Sequence, residues 1–303
     1  TATKIEHFNH TVDGRDDEAE WDSVGEWSEA FVQSQPVERA VSKYETRMKI
    51  FYDERNIYIG VRCYDDETDK IHHQTGNRDD WTGDYVTVSF DSYHDYRSAS
   101  QFMLNAGGTR TDMNITDLQE MNFSWNAVWS GKSHIYHDRG YWFAEYVIPF
   151  TQLRYRTVAT DGVWGLHVQR MVSRHDEMVE WSMIPQNNNG FVYSFGELHG
   201  MQDVPRTRNI EFTPYVSGQH AREPRIEGSP YQTGSEWRAN VGLDAKMRVG
   251  DYTMNMTFNP DFGQVEQDPS VMNLTTTETF YEEKRPFFLE GSDVFSLALG
   301  TDN

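Results

Sequence analysis

The sequence predicts an all-β protein in which an antiparallel β-sandwich is followed by long amphipathic strands. Alternation of apolar and polar residues with a period of two dominates the 303 residues, and helical periodicity is scarce. Clusters of Gly, Asn and Asp separate short alternating segments at a spacing that is typical of sandwiches. Nine Trp, sixteen Tyr and seventeen Phe provide the apolar surface of a sizeable core, so disorder is excluded for most of the chain.

Eight strands and two short helical turns are predicted in the first two thirds of the chain. The strands are 46–52, 56–64, 84–91, 99–105, 141–149, 163–172, 179–184 and 191–198. One helical turn is expected at 16–21, because the acidic residues Asp16, Asp17 and Glu18 suit the positive end of a helix dipole. The other is expected at 149–154.

The character of the sequence changes near residue 204, and eight of the nine Trp lie before that point. After it, 237–249 alternates strictly, and a tight turn at Gly250 and Asp251 leads into a strand at 252–258. One face of these strands carries Ala239, Val241, Leu243, Ala245, Met247, Val249, Tyr252, Met254, Met256 and Phe258. Strands of about ten residues with one apolar and one polar face are typical of transmembrane β-hairpins, although a long hairpin over a soluble core would alternate in the same way.

The chain is therefore divided into a sandwich at 1–204 and a segment of long strands at 205–303. A membrane barrel needs about eight strands, and the second segment has room for three or four. If the membrane interpretation holds, this segment is the start of a larger, incomplete barrel.

Charge and cysteine content exclude several classes of protein. The chain has 27 Lys and Arg against 48 Asp and Glu, a formal net charge of −21, so it is not a general nucleic-acid binder. It contains no apolar run of roughly 18 residues and therefore no transmembrane helix. Cys63 is the only cysteine, so we expect no disulfide, and its apolar neighbours predict a buried thiol. The chain starts at Thr1 without a basic and apolar leader, which indicates a cytoplasmic protein or a signal peptide already removed.

Six collinear motifs identify a relative of the first segment. They are Val12-Asp13-Gly14-Arg15-Asp16-Asp17-Glu18-Ala19-Glu20-Trp21; Ile50-Phe51-Tyr52-Asp53 with Ile57-Tyr58-Ile59-Gly60-Val61-Arg62-Cys63-Tyr64-Asp65; Trp81-Thr82-Gly83-Asp84-Tyr85-Val86 with Asp91; Trp142 with Glu145 and Ile148-Pro149-Phe150; Trp164-Gly165; and Phe195-Gly196-Glu197-Leu198. Over roughly 5–200 the chain resembles family 9 carbohydrate-binding modules. The resemblance implies a jelly-roll-like sandwich that binds a carbohydrate.

The second segment is similar to a bacterial domain of unknown function, DUF5916. The motifs that carry this similarity are 259–269 and 280–291, the second of which reads Phe-Tyr-Glu-Glu-Lys-Arg-Pro-Phe-Phe-Leu-Glu-Gly. The similarity implies the beginning of an outer-membrane β-barrel, and hence a protein of the bacterial cell envelope whose signal peptide has been removed. Mixed charges and aromatics at 280–291 suit a plug-like loop in a barrel lumen, with an ordinary surface loop as the alternative.

The resemblance also implies which residues bind the ligand. Family members clamp a terminal sugar between two aromatic side chains, and Trp81 matches the first of them. The second lies near the end of the module, where Trp181, Phe191 and Tyr193 are all candidates. Arg78, Asn105 and Arg110 are candidate donors to the sugar hydroxyls, and Thr87 stands where family sugar binders tend to carry a carboxylate. The alternative for Trp81 is a core Trp beside a turn.

A structural calcium ion is a second implication of the resemblance, although no cofactor is required. The candidate ligands are Asp13, Asp16, Asp65 and Asp66, since calcium binds six to eight oxygen atoms. No EF-hand spacing is present, and solvated loop charge is the alternative.

The sequence thus predicts a non-catalytic protein of the outer membrane that binds a glycan or other small ligand through aromatic stacking. Two alternatives remain. One is a glycoside hydrolase, which needs two carboxylates about 5 to 10 Å apart. The other is a structural module that docks on a barrel or a protein partner and binds no sugar.

Overall fold

The computed structural model describes residues 1–8, 10–116, 121–123, 125–155, 162–185, 187–188, 190–205, 209–222, 236–249 and 252–259. The chain divides into two compact units, Thr1–Thr207 and Arg208–Asn303. We call the first unit the sandwich and the second the long-strand unit.

The sandwich consists almost entirely of β-strands. In chain order they are β1 (Thr3–Lys4), β2 (Val32–Gln35), β3 (Thr46–Tyr52), β4 (Asn56–Tyr64), β5 (Tyr85–Asp91), β6 (Ser98–Asn105), β7 (Arg110–Thr116), β8 (Met121–Asn122), β9 (Ser130–Tyr136), β10 (Tyr141–Pro149), β11 (Trp164–Val172), β12 (Glu177–Glu180) and β13 (Gly196–Leu198). The described helical segments are α1 (Ala19–Ser23) and the 3-10 turns Thr68–Lys70, Phe150–Gln152, Ser173–His175 and Val192–Ser194. The predicted all-β fold class is confirmed.

Two sheets enclose the main core. The smaller sheet has the strand order β1-β3-β4-β10-β9, and the larger has the order β2-β12-β11-β5-β6-β7-β8 with β13 also paired to β11. Successive side chains of a strand face opposite ways. Trp142 and Tyr146 of the smaller sheet therefore meet Phe90 and Phe102 of the larger sheet in one buried cluster.

The outer face of the smaller sheet carries a second apolar cluster. Phe8 and Trp21 from the N-terminal segment pack there on Tyr58 and Phe143. Gly60 permits this close approach, because a Cβ at that position would lie 2.6 Å from the rings of both Trp21 and Phe143. The five-residue helix α1 is too short to be stable alone, so the burial of Trp21 holds it in place.

Cys63 lies in β4 and faces the main core. Its side chain is fully buried, as predicted, and burial raises the pKa of its thiol to about 12. The thiolate form is therefore suppressed at neutral pH, and the thiol packs as a small apolar group.

Most of the predicted strands agree with the structure to within one residue, and the exceptions have physical causes. Five strands, β1, β2, β7, β8 and β9, were not predicted. β7 does alternate, but its inward face is polar: Asp112 accepts hydrogen bonds from Trp129 Nε1 and the Ala127 amide. The predicted strand 191–198 is extended only in β13, since Val192–Ser194 forms a 3-10 turn.

The long-strand unit contains three antiparallel strands among the described residues, β14 (Asn209–Ala221), β15 (Glu236–Val249) and β16 (Tyr252–Phe258). The register places Val216 opposite Val241 and Met256 opposite Ala245, so the apolar positions share one face. Large side chains on this face are open to solvent, with Val216 and Trp237 each 77% exposed. The predicted amphipathic strands are confirmed, and among the described residues no segment covers their apolar face.

Two expectations for this part of the chain concern residues outside the described ones, namely the turn at Gly250 and Asp251 and the plug-like segment 280–291. Among the described residues, no helix has the length and apolar character needed to cross a membrane.

Candidate functional site

Trp81 lies at the surface of the sandwich, on the loop of residues 72–84 that leads into β5. Its side chain is 38% exposed, and its ring meets the ring of Tyr85 edge-on at a centroid distance of 5.5 Å. The structure thus places Trp81 outside the core, with part of its indole exposed. A flat, exposed aromatic ring that is supported from one side can stack on an apolar ligand surface.

Asn105 fixes the position of this loop. Its amide group donates hydrogen bonds to the carbonyl oxygens of Gln74 and Thr82, both at 3.0 Å. Its Oδ1 accepts hydrogen bonds from the amides of Gly107 (3.0 Å) and Thr109 (2.7 Å). The side chain is completely buried, and these four bonds use its full capacity. Asn105 therefore positions the loop, which differs from the predicted role as a donor to a sugar hydroxyl.

Gly83 closes the same loop. Its φ is +73°, a left-handed conformation that glycine adopts without strain. A Cβ at Gly83 would lie 2.4 Å from the carbonyl oxygen of His72, which accepts the amide of Asp84 at 2.8 Å. The loop thus returns to its own starting point immediately before β5.

Arg78 lies on this loop and Arg110 lies beside it, and both form contacts within the protein. Arg78 forms an ion pair with Asp112 and donates a hydrogen bond to the Ala127 carbonyl at 2.8 Å. Arg110 donates to the Trp129 carbonyl and lies over the Trp129 ring, 5.7 Å from its centroid. Arg78 remains exposed, so its guanidinium group can still reach a ligand as well as Asp112.

The three candidates for the second aromatic side chain lie away from Trp81. Trp181 is partly buried against the main core, next to Gly196. Phe191 packs edge-on against His167, and Tyr193 lies near Tyr96 with 5.7 Å between the ring centroids.

The register of the larger sheet shows how far apart these aromatic side chains are. Trp81 contacts Tyr85, the first residue of β5, whereas Tyr96 is hydrogen-bonded to Asp91, the last residue of β5. Six residues of extended strand span about 20 Å. Trp81 and Tyr193 therefore do not form the two walls of one clamp.

The middle of the larger sheet's outer face is closed in this structure. The residues with side chains on this face in β5, β6 and β7 are Thr87, Ser89, Gln101, Met103, Thr111 and Met113, and all are buried. Thr87 and Thr111 flank Met103, and their hydroxyl groups have no hydrogen-bond partner among the described residues. Exposed aromatic surface is thus found at the two ends of β5 rather than over its centre.

A buried charge cluster lies at the end of the sandwich where β5 begins. Asp84, from the Trp81 motif, accepts hydrogen bonds from the amide and hydroxyl of Ser173 at 3.1 and 2.6 Å. Burial alone would raise the pKa of Asp65, but Arg174 at 2.7 Å and Arg170 at 3.8 Å hold that pKa below its usual value. The arginines and carboxylates compensate one another, so this cluster anchors the start of β5.

The candidate calcium ligands are used in contacts with basic side chains. Asp16 is buried and bound by Arg62, Arg139 and Tyr141. The other three pair with different cations: Asp13 with Arg15, Asp65 with Arg174 and Asp66 with Lys43. Among the described residues, no group of three or more His, Cys, Asp or Glu side chains is placed to hold a metal ion. The structure does not bring these four aspartates together, and a structural calcium ion stays a prediction.

Two features of the sandwich were missed by the sequence reasoning. Tyr96, which follows β5, is exposed beside Tyr193, and only its place in a turn could have indicated a surface role. Glu145 is completely buried on the outer face of the smaller sheet, where its Oε2 accepts the amides of Asp13 and Gly14. Burial raises the pKa of Glu145 to about 8.

Comparison with known proteins agrees with this architecture. A family model described as "Carbohydrate family 9 binding domain-like" matches residues 12–199, and "Domain of unknown function (DUF5916)" matches residues 205–299. None of the curated proteins compared with the chain matches it.

Solved structures similar to the chain include a family 9 carbohydrate binding module from Caldicellulosiruptor kristjanssonii in complex with cellotriose. It is 16% identical, with a TM-score of 0.46, and the match covers 67% of this chain and 96% of that chain. The same module in complex with glucose is 16% identical, with a TM-score of 0.46 and coverage of 68% and 100%. A putative carbohydrate-binding protein from Bacteroides uniformis is 15% identical, with a TM-score of 0.51 and coverage of 65% and 95%. Because the family model spans more than half of the chain, the protein belongs to the carbohydrate family 9 binding domain-like family.

Proposed function

We propose that the sandwich binds carbohydrate without catalysis, by stacking a sugar ring on Trp81. The observation that carries this proposal is the exposed indole on a loop whose backbone is fixed by buried Asn105. A sugar ring has apolar faces, and an immobilised aromatic side chain can cover one of them with little loss of conformational entropy. Membership of the family supports carbohydrate as the ligand class.

The polar edge of the sugar needs hydrogen-bond donors, and Arg78 is placed to supply them. It lies three residues before Trp81 on the same loop and is exposed while bound to Asp112. One stacked ring and a few hydroxyl contacts give an affinity of micromolar to millimolar order, since ordering and desolvation offset most of the contact energy.

A panel of soluble polysaccharides in native affinity electrophoresis tests this function with the full chain. The panel contains hydroxyethyl cellulose, barley β-glucan, xylan, galactomannan and dextran. We expect at least one polymer to retard the wild type, and Trp81→Ala to weaken that binding at least tenfold, which corresponds to about 1.4 kcal/mol.

The matched control is Trp237→Ala, which removes an exposed Trp from the long-strand unit and should leave the retardation unchanged. Binding to no polymer of the panel, or equal binding by Trp81→Ala and wild type, would contradict the proposal and favour a docking module that binds no sugar.

The hydrolase alternative receives no support from Glu145, the buried carboxyl group whose pKa is raised to about 8. A general acid must reach the glycosidic oxygen. Glu145 is closed off from solvent beneath the segment that contains Asp13 and Gly14. The raised pKa thus reflects burial in the fold.

We further propose that the long-strand unit contacts the outer membrane of a bacterium. The support is the exposed apolar face of β14 and β15, which suits lipid and not water. Fourteen residues of β15 extend about 45 Å, and a tilt of about 45° reduces this to roughly 30 Å, the thickness of a bilayer core.

A further inference from the structure

The loop between β5 and β6, residues 92–97, presents a second group of aromatic side chains at the surface. Tyr96 is 39% exposed and Tyr193 is 67% exposed, and their ring planes are tilted by 54° at a centroid distance of 5.7 Å. The ring of His94 lies 4.6 Å from that of Tyr96. We call the surface formed by Tyr96 and Tyr193 the distal platform.

The backbone that carries Tyr96 is held in a conformation that side chains disfavour. His94 has a φ of +50° and Tyr96 a φ of +62°, both in the left-handed region. Residues other than glycine remain there only when the surrounding structure enforces it, and such positions cluster at ligand-binding sites. The strained backbone at His94 and Tyr96 therefore indicates that the position of the Tyr96 ring is important for ligand binding.

Hydrogen bonds to the side chain of Asp91 stabilise this conformation. Its carboxylate accepts the amides of Asp95 and Tyr96 at 3.2 and 2.8 Å, and the side chain is buried against Gly165. Burial raises the pKa of Asp91, which shows that the carboxylate is desolvated. Because its hydrogen bonds are made with backbone amides of the surface loop, buried Asp91 fixes the conformation of that loop.

The backbone that carries Tyr193 is held by packed neighbours. It lies in the 3-10 turn Val192–Ser194, and Val192 beneath it is completely buried. Phe195, the residue after the turn, stacks on the ring of His167 at 5.3 Å, and Phe191 meets Phe195 edge-on. Packed aromatic residues on both sides of the turn thus support the backbone that carries the exposed ring of Tyr193.

We propose that the distal platform is a second carbohydrate-stacking site, so that a polysaccharide chain contacts the sandwich at Trp81 and again at Tyr96 and Tyr193. This inference rests on the proposed function of Trp81. The two sites lie at opposite ends of β5, a strand that spans about 20 Å. Exposed Arg97 and Ser98, directly after Tyr96, supply polar groups for sugar hydroxyls.

Attachment at two points predicts a dependence on chain length. When one site is occupied, the second binds intramolecularly, which strengthens binding by a factor of 10² to 10⁴ if the ligand spans both sites. A trisaccharide is too short to contact both platforms at full strength, whereas a polymer of the same sugar can do so.

The experiment repeats the affinity electrophoresis panel with wild type, Tyr193→Ala, Trp81→Ala and the double variant, and measures the trisaccharide of any bound polymer by calorimetry. We expect each single substitution to weaken polymer binding at least tenfold and the double variant to abolish it. Tyr193→Ala should leave trisaccharide binding at Trp81 unchanged within twofold. Tyr193→Phe is the matched control; it keeps the ring and should bind the polymer as the wild type does.

The outcomes separate the two proposals. If Tyr193→Ala binds the polymer like the wild type while Trp81→Ala does not, the distal platform is refuted and the proposed function stands. If the wild type binds no polymer of the panel, both proposals fail. A loss of trisaccharide binding in Tyr193→Ala equal to its loss of polymer binding would show one continuous site and overturn the two-point arrangement.

Discussion

The sandwich and the long-strand unit are both built from alternating strands, but they place their apolar residues differently. In the sandwich, Trp142 and Phe102 are completely buried between two sheets. In the long-strand unit, Val216 and Trp237 lie on a single sheet and are largely exposed. Alternation with a period of two thus occurs both in strands that bury their apolar face in a core and in strands whose apolar face is exposed and suits an apolar environment.

The difference shows that alternation alone does not decide what covers an apolar face. The sandwich carries extra segments for this purpose, such as the N-terminal stretch that brings Phe8 and Trp21 over the smaller sheet. No such covering segment is seen over the apolar face of β14 to β16 within the described residues. Mutations that remove apolar surface should therefore lower the stability of the sandwich and the lipid affinity of the long-strand unit.

The largest effect is expected for Trp21→Ala in the sandwich. This substitution empties the space above Gly60 and should lower the free energy of unfolding by about 3 to 5 kcal/mol, as for other buried Trp side chains. Urea unfolding followed by circular dichroism measures the change, with Trp237→Ala as the exposed counterpart. A loss below about 1 kcal/mol for Trp21→Ala would show that the outer cluster contributes little.

A somewhat smaller effect is expected for Val241→Arg on the apolar face of the long-strand unit. In contact with lipid, an Arg near the middle of such a strand is unfavourable by about 2 to 4 kcal/mol, so partition of the chain into lipid vesicles should fall roughly thirtyfold or more. Flotation with the vesicles measures this partition.

Ser217→Arg is the control for Val241→Arg, because Ser217 lies at the same level of β14 and on the polar face. It should float as the wild type does. Equal flotation of both variants would contradict a lipid-facing surface.

The smallest effect is expected for the pH dependence of the stability of the sandwich. Burial, with a smaller contribution from Glu18 and Asp13, raises the pKa of Glu145 from its usual 4.5 to about 8. The folded state then holds a proton that the unfolded state releases above pH 4.5, so this contribution to stability is full at low pH and is lost as the pH rises through 8. Between pH 6 and pH 7.5 the free energy of unfolding should fall by about 2 kcal/mol on account of Glu145.

Glu145→Gln removes this titration, and the difference between the two proteins in urea unfolding at several pH values isolates it. A wild-type slope equal to that of Glu145→Gln would show that the carboxyl group ionises as freely in the folded state as in the unfolded one.

Much of the architecture could be predicted from the sequence, because a strand with one buried face has alternating apolar and polar residues. The boundaries of β3, β4 and β10 were predicted to the residue. β7 was not predicted. Its inward face carries Asp112, which forms an ion pair with Arg78, and only the tertiary structure shows this contact.

The candidate site could be predicted only in part, for a related reason. The motif identified Trp81, and the structure places it at the surface. Residue type alone could not distinguish a ligand-binding Asn105 from one whose four hydrogen bonds are all internal, nor could it show that Tyr193 meets Tyr96 at the far end of β5. Which polar groups are already satisfied depends on contacts between segments that are distant in sequence.

Cys63 can be used to measure the opening motions of the sandwich. Since it is the only sulfhydryl of the chain and lies wholly inside the sandwich, a thiol reagent in solution can reach it only when the two sheets part. The rate at which the native protein is labelled therefore reports how often the interior opens, and any sugar that fastens the sheets together should slow that rate in proportion to its occupancy.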